Sequence, residues 1–185
     1  MRIICIGDSL TYGYGVRRSE RWTDLLAAET GLEVVNMGVN GDTTGGMLAR
    51  FRQIMPVGSD TAVFVMGGCN DIFYSGSDIG ARANMGGMLH QILSCGAVPV
   101  VGIPANIESS LCPEAWGSVV DFDAASEIIE GYRRWLRKFS EAFSIRYIDF
   151  GDGWPEGHLA DGLHPDAAGH RIIAQKVALC LKSIT

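Results

Sequence analysis

The chain alternates short apolar runs with longer stretches in which apolar residues recur at helical spacing. The short runs predict five strands, at residues 2–6, 33–37, 61–66, 98–103 and 145–150. Strands that alternate with helices are joined by right-handed crossovers, and they build a parallel sheet with helices on both faces. The pattern therefore predicts an α/β fold, a three-layer α/β/α sandwich around a five-stranded parallel sheet. We expect the strand order 2-1-3-4-5.

The stretches between these runs predict helices around residues 22–29, 47–55, 88–93, 126–143 and 166–181. The periodicity is clearest over 126–143, where apolar residues hold one face and arginines and a lysine fill the rest, which we expect to be solvated. Residues 104–121 show no period and contain Pro104 and Pro113. We predict a long loop there, at the carboxyl end of strand four, where loops commonly shape a binding site.

Length and charge narrow the classes of protein and partner. The 185 residues with 47% apolar content suit a single domain over residues 1–185, large enough to bury a core without disulfides or metal. A net charge of -6 disfavours nucleic acid and anionic membrane surfaces, which reward basic patches. No run approaches the ~20 apolar residues of a membrane span, so we expect no stable membrane insertion. The expected partner is a small molecule, and the oligomeric state is left open.

The cysteines indicate a compartment. Five of them are scattered along the chain without a Cys-x-x-Cys pair, which fits neither a disulfide framework nor a zinc site. Reduced thiols in a cytoplasm are the simplest interpretation, and the first residues lack the pattern of a signal peptide. A signal peptide that has already been removed would leave the same sequence.

The most informative single residue is Ser9, which directly follows the first predicted strand. The ends of strands in an open α/β sheet are where ligands and reacting groups collect, so this hydroxyl is a candidate nucleophile. The alternative is a helix cap, because serine at a strand-to-helix turn caps readily. We assign the preceding Asp8 to hydrogen bonds within the turn, and Asp71 to a similar structural role.

Serine hydrolysis also needs a base, a group that orients the base, and donors for an oxyanion. After strand two, Gly41 lies in a glycine-rich loop and can offer a backbone N–H; after strand three, Asn70 can offer a side-chain amide. After strand five, Asp161 stands three residues before His164. An aspartate that accepts from Nδ1 would leave Nε2 of His164 as the basic nitrogen facing the serine.

Three other histidines compete for the role of base. His158 is the main competitor, but it lacks an aspartate three residues before it. His90 and His170 fall within predicted helices, and we expect surface or boundary positions for both.

The sequence resembles the GDSL, or SGNH, hydrolase family. The resemblance rests on four blocks in the family's order, namely Gly7-Asp8-Ser9-Leu10, Gly41, Gly68-Cys69-Asn70-Asp71 and Asp161-Gly162-Leu163-His164. It implies a flavodoxin-like α/β/α fold without a cofactor or metal, in which Ser9 is the nucleophile, His164 the base and Asp161 its orienting partner. It also implies an oxyanion hole made by the backbone amides of Ser9 and Gly41 and the side chain of Asn70. Cys69, in the variable place of its block, would be either oxidisable or merely buried.

The residues around the first two blocks are similar to a bacterial branch that contains arylesterases and lysophospholipase/thioesterases. This implies an enzyme, a serine esterase or acylhydrolase that acts on lipolytic, aryl or short-to-medium acyl esters, with thioesters as a further class. Aromatic residues near the predicted strand ends would either line the acyl or aryl pocket or anchor loops: Tyr12, Tyr14, Phe73, Tyr74 and Trp116. Two alternatives stay open, a carbohydrate O-acetyl esterase and an inactive α/β binding module.

Overall fold

The five predicted strands form one parallel sheet in a computed structural model that describes residues 2–55 and 57–182. The strands are β1 (Arg2–Gly7), β2 (Glu33–Gly38), β3 (Thr61–Met66), β4 (Val98–Ile103) and β5 (Arg146–Asp149). Their order is β2-β1-β3-β4-β5, and every neighbouring pair is parallel, so the predicted fold class and strand order are confirmed. The predicted domain of residues 1–185 includes residues 1, 56 and 183–185, which lie outside the described part.

Helices cover the sheet on both faces. They are α1 (Ser9–Tyr12), α2 (Trp22–Thr30), α3 (Thr44–Arg50), α4 (Cys69–Ser75), α5 (Ile79–Ser94), α6 (Glu114–Gly117), α7 (Phe122–Ala142) and α8 (Ala167–Lys182). Alternate strand residues enter opposite layers, because successive side chains of a strand point to opposite faces. Ile4 and Val63 pack with α3, α5 and α7, whereas Ile3 and Phe64 pack with α2 and α8.

The register brings the carboxyl ends of the central strands level with one another. Gly7, the last residue of β1, is aligned with Gly38 of β2 on one side and with Met66 of β3 on the other. A Cβ atom on Gly38 would lie 2.1 Å from the backbone nitrogen of Tyr12, so glycine lets the turn after β1 close against β2. The loops that follow these three strands therefore start from one edge of the sheet.

Several helix bounds differ from the sequence predictions. Helix α7 begins four residues before the predicted start, because the Asp121 side chain accepts a hydrogen bond from the Ala124 N–H and caps it. The predicted loop 104–121 contains a 3₁₀ turn (Ser109–Leu111) and the short helix α6. Helix α4 was not predicted, since seven residues are too few to show a helical period.

His170 corrects another expectation. The residue is fully buried in α8, where its Nδ1 accepts a hydrogen bond from the backbone N–H of Trp22 in α2. Burial lowers the pKa of His170 to about 4, so the ring is neutral and serves to join two helices. The predicted surface or boundary position is therefore wrong for His170, whereas His90 is exposed as expected.

Candidate active site

Ser9 is the first residue of α1, but the adjacent Asp8 caps this helix. Oδ1 of Asp8 accepts a hydrogen bond of 3.0 Å from the Leu10 N–H. Ser9 is therefore not the helix cap. Asp8 has the predicted role, because its side chain makes a hydrogen bond within the turn. The Ser9 hydroxyl is free to face the loop that follows β5.

His164 and Asp161 complete a relay with Ser9. Nε2 of His164 lies 3.0 Å from Oγ of Ser9, and Nδ1 lies 2.8 Å from Oδ2 of Asp161. The other carboxylate oxygen of Asp161 accepts from the backbone N–H groups of Leu163 and His164, at 3.1 and 2.7 Å. An aspartate that can only accept places the proton on Nδ1, which leaves Nε2 to accept from the serine hydroxyl.

The charge of Asp161 is secured by these contacts. Burial acts to raise its pKa, but the hydrogen bonds from the His164 ring and backbone outweigh burial and hold the pKa below its ordinary value. The carboxylate is therefore ionised at neutral pH, in the form that can stabilise an imidazolium on His164.

His158 is engaged elsewhere. Its Nδ1 lies 3.2 Å from Oδ2 of Asp166, whose other oxygen accepts from the Gly169 N–H and caps α8. The histidine that the structure places against Ser9 is thus His164.

Gly41 and Asn70 come together across two loops. Gly41 has a φ of 72°, a left-handed conformation that favours glycine. The Asn70 side chain donates one hydrogen bond of 2.9 Å to the carbonyl of Asp42, the residue after Gly41. An amide nitrogen carries two hydrogens, so the second is left for an oxygen in the cavity beside Ser9.

A cavity of about 290 Å³ opens over these groups. It is lined by Ser9, Tyr14, Asn40, Gly41, Asn70, Phe73, Tyr74, Trp116, Val119, Val120, Phe122, Leu163 and His164. None of these residues is an acid, a lysine or an arginine, and most of the walls are apolar. The cavity therefore suits an uncharged group attached to the reacting carbonyl.

The cavity contains four of the five aromatic residues named from the sequence. Two of them flank the imidazole of His164, with ring centroids 4.5 Å away for Tyr14 and 6.3 Å away for Trp116. Tyr12 is not among the lining residues, and the residue is 44% exposed, so of the two roles considered for it the structure does not place it in the wall of the cavity. It lies at the opposite end of the one-turn helix α1 from Ser9.

The residues that form one wall of the cavity were not identified from the sequence. Val119, Val120 and Phe122 come from the end of the predicted loop 104–121 and the start of α7. The sequence indicated only that the loop after β4 would lie near a binding site. The residues around a valine do not show which cavity its side chain will border.

The cysteines of the site region are unreactive in character. Burial raises the pKa of the Cys69 thiol far above its ordinary value, so the thiol stays protonated. All five cysteines are free.

Residues 2–55 and 57–182 contain no group of three or more His, Cys, Asp or Glu side chains that could hold a metal ion. Within the same ranges, no helix is long and apolar enough to span a bilayer.

Asp8 predicts a pH dependence of stability. Burial, together with the nearby charges of Asp42 and Asp71, raises its pKa from 3.8 to about 7 despite the hydrogen bond from Leu10. The folded protein keeps a proton that the unfolded chain has already released, so the free energy of unfolding falls as pH rises from about 4 to 7. Between pH 5 and 8 we expect the free energy of unfolding of the wild type to fall by about 2 to 3 kcal/mol relative to that of an Asp8→Asn variant, whose side chain at position 8 cannot ionise.

Urea unfolding of both proteins at pH 5 and pH 8 measures this difference. Asparagine keeps the oxygen that accepts from Leu10, so the cap survives in the variant. Parallel losses in the two proteins would show that Asp8 ionises in the folded state as easily as in the unfolded chain.

The chain is similar in sequence to proteins named as esterases and similar in fold to a solved aryl esterase. The sequence model of the GDSL-like Lipase/Acylhydrolase family matches residues 5–172. An arylesterase of Vibrio mimicus is 27% identical over 96% of this chain and 86% of its own length. Esterase TesA of Pseudomonas aeruginosa is 27% identical over 98% of this chain and 88% of its own length. The solved structure of an M. smegmatis aryl esterase has a TM-score of 0.84 and 20% identity, covering 100% of this chain and 99% of that one.

Proposed function

The chain belongs to the GDSL-like lipase/acylhydrolase family, and we propose that it hydrolyses carboxylic esters through an acyl-enzyme formed on Ser9. Both curated relatives described above are esterases by name, which supports the ester as the substrate class. The observation that carries the mechanism is the continuous relay of short contacts from Ser9 through His164 to Asp161. Sequence relatives alone do not report such a relay.

The proposed reaction has two halves. Ser9 attacks the ester carbonyl while its proton moves to Nε2 of His164, and Asp161 stabilises the imidazolium that forms. The negative oxygen is received by the backbone N–H groups of Ser9 and Gly41 and by the Asn70 amide. His164 then protonates the leaving alcohol. In the second half, a water molecule gives a proton to His164 and attacks the acyl-enzyme, and Ser9 takes that proton back as the carboxylic acid leaves.

Covalent trapping tests the nucleophile. A fluorophosphonate should add one phosphonyl group to the native protein, and peptide mapping should place it on Ser9. Heat-unfolded protein is the control, since an unfolded serine has no oriented base and should not react. Native protein that stays unlabelled at every serine would favour the inactive binding module.

The cavity supports an acyl or aryl group larger than acetyl. Its volume of about 290 Å³ is larger than a methyl group fills, and its walls are mostly apolar. Each methylene of the acyl group that is buried there contributes about 0.8 kcal/mol of binding free energy. In a series of p-nitrophenyl esters from acetate to octanoate, we expect kcat/KM to rise about fourfold per methylene until the cavity is full. An optimum at acetate, together with release of acetate from acetylated sugars, would instead support the carbohydrate O-acetyl esterase.

Replacement of Asn70 by alanine tests the oxyanion hole. We expect kcat to fall roughly 100- to 1,000-fold with little change in KM, because this donor matters most when the carbonyl oxygen becomes negative. The variant also loses the bond to the Asp42 carbonyl, so urea unfolding should accompany the kinetics. A variant that is folded and has the kcat of the wild type would remove Asn70 from the mechanism.

Two sequence expectations stay predictions. We propose that residues 1–185 form one domain, which the parallel sheet shared by all five strands supports. We also propose a cytoplasmic location, which the free cysteines support.

A further inference from the structure

Arg50 binds three separate points beneath the candidate active site. It is the last residue of α3, and its guanidinium reaches back to the carboxyl edge of the sheet. Nη2 donates to the carbonyl of Gly7 at the end of β1 (3.0 Å), and Nη1 donates to the carbonyl of Met37 in β2 (2.7 Å). Nε donates to Oδ2 of Asp42 at 2.8 Å. One side chain thus joins two neighbouring strands to the loop that follows β2.

Asp42 connects two of the three proposed oxyanion donors, the Gly41 N–H and the Asn70 amide. It directly follows Gly41 in the chain, and its backbone carbonyl accepts the hydrogen bond from the Asn70 side chain. Any displacement of Asp42 would therefore move the Gly41 N–H through the backbone and the Asn70 amide through its hydrogen bond.

The space around the Asp42 carboxylate is fitted to this contact. A Cβ atom on Gly46, in the first turn of α3, would lie 1.9 Å from Oδ1 of Asp42, so any larger residue would expel the carboxylate. The ion pair is also shielded, with side-chain exposures of 17% for Arg50 and 11% for Asp42. A partly buried charge pair with several fixed donors holds its geometry better than an exposed one.

We propose that Arg50 is a positioning residue for ester hydrolysis, which fixes the Gly41 N–H and the Asn70 amide relative to Ser9 by anchoring Asp42 to the ends of β1 and β2. This inference rests on the proposed function of the site. The role needs arginine, because the planar guanidinium presents three donors in fixed directions, whereas a lysine ammonium is a single point at the end of a flexible chain. Arg50 itself is absent from the lining of the cavity, so it acts through its neighbours.

Kinetics of Arg50→Lys test the proposal. We expect kcat to fall about 10- to 100-fold with KM changed less than about threefold, because small displacements of oriented groups are costly mainly in the transition state. The matched control is Arg82→Lys in α5, which alters an ion pair with Asp78, the residue before that helix. This control should keep the kcat of the wild type.

A double-mutant cycle separates positioning from general stability. If Arg50 acts through the oxyanion donors, Arg50→Lys should cost less in kcat when Asn70 is already alanine than it does in the wild type, because only the Gly41 N–H is then left to displace. An equal cost in both backgrounds, or an unchanged kcat in Arg50→Lys alone, would overturn the proposal. If Arg50→Lys does not fold by urea titration, Asp42→Ala replaces it, because alanine has no oxygen to accept from Nε of Arg50, and this variant should show the same loss of additivity with Asn70→Ala.

Failure of this inference is distinguishable from failure of the proposed function. Loss of activity in Ser9→Ala together with full activity in Arg50→Lys rejects only the role of Arg50. Full activity in Ser9→Ala rejects the acyl-enzyme itself, and with it the basis for an oxyanion hole at Gly41 and Asn70.

Discussion

Replacing Ser9 by alanine should lower kcat for ester hydrolysis about a million-fold, to a residual rate that comes from binding and the oxyanion donors alone. The reason is that the methyl group offers no lone pair to attack the carbonyl, while Nε2 of His164 loses the 3.0 Å contact through which it would take the proton. Hydrolysis of a p-nitrophenyl ester, followed in wild type and variant over several hours, measures the ratio. Labelling by a fluorophosphonate should disappear in parallel.

The fold of the Ser9→Ala variant should be unchanged, because Asp8 rather than Ser9 caps α1. Ser94→Ala is a suitable control: the hydroxyl of this exposed serine donates to the carbonyl of His90 within α5, and its loss should not alter kcat. A Ser9→Ala variant that keeps more than about 1% of wild-type kcat, well above the residual rates of other serine hydrolases, would require a different nucleophile.

The second large effect is expected for Asp161→Asn, with a fall in kcat of about 10,000-fold. The side-chain oxygen of asparagine can still accept from the backbone N–H groups of Leu163 and His164, and this leaves its NH₂ group facing Nδ1 of the imidazole. Nδ1 must then accept, so Nε2 carries the proton and can no longer take one from Ser9. The geometry is kept, and the tautomer is wrong.

Asp166→Asn is the matched control for this substitution. Asp166 also meets a histidine Nδ1 through Oδ2, at His158, whereas the ring whose Nε2 faces Ser9 is that of His164. The control should keep the cap on α8, because the side-chain oxygen of asparagine can still accept from the Gly169 N–H, and it should keep kcat within about threefold. Near-normal kcat in Asp161→Asn would mean that Asp161 serves the loop rather than the base.

Much of the site could be predicted because its residues lie at strand ends. An apolar run such as 61–66 marks a strand through its own composition, and the residues after it must emerge at the carboxyl edge of a parallel sheet. The spacing of Asp161 and His164 likewise describes a local turn, and the observed contact of 2.8 Å belongs to that turn. These features depend on residues near one another in the chain, which is why a pattern can report them.

The choice between chemically similar residues could not be predicted with the same certainty. His158 and His164 are six residues apart and each has an aspartate as partner, at 3.2 and 2.8 Å respectively. Only the path of the chain between β5 and α8 decides which ring reaches Ser9. His170 shows the same limit, since its burial against Trp22 joins residues that are 148 positions apart.

The sequence by itself determined the alternation of strands and helices and the set of reacting groups, because strand periodicity and strand-end positions are properties of short segments. The tertiary structure decided which side chains enclose the cavity, excluded Tyr12 from it and gave Arg50 its three partners. These outcomes depend on how segments from distant parts of the chain pack against one another. In a close-packed interior each side chain is surrounded by residues from distant parts of the chain, and a local sequence pattern does not show which residues these are.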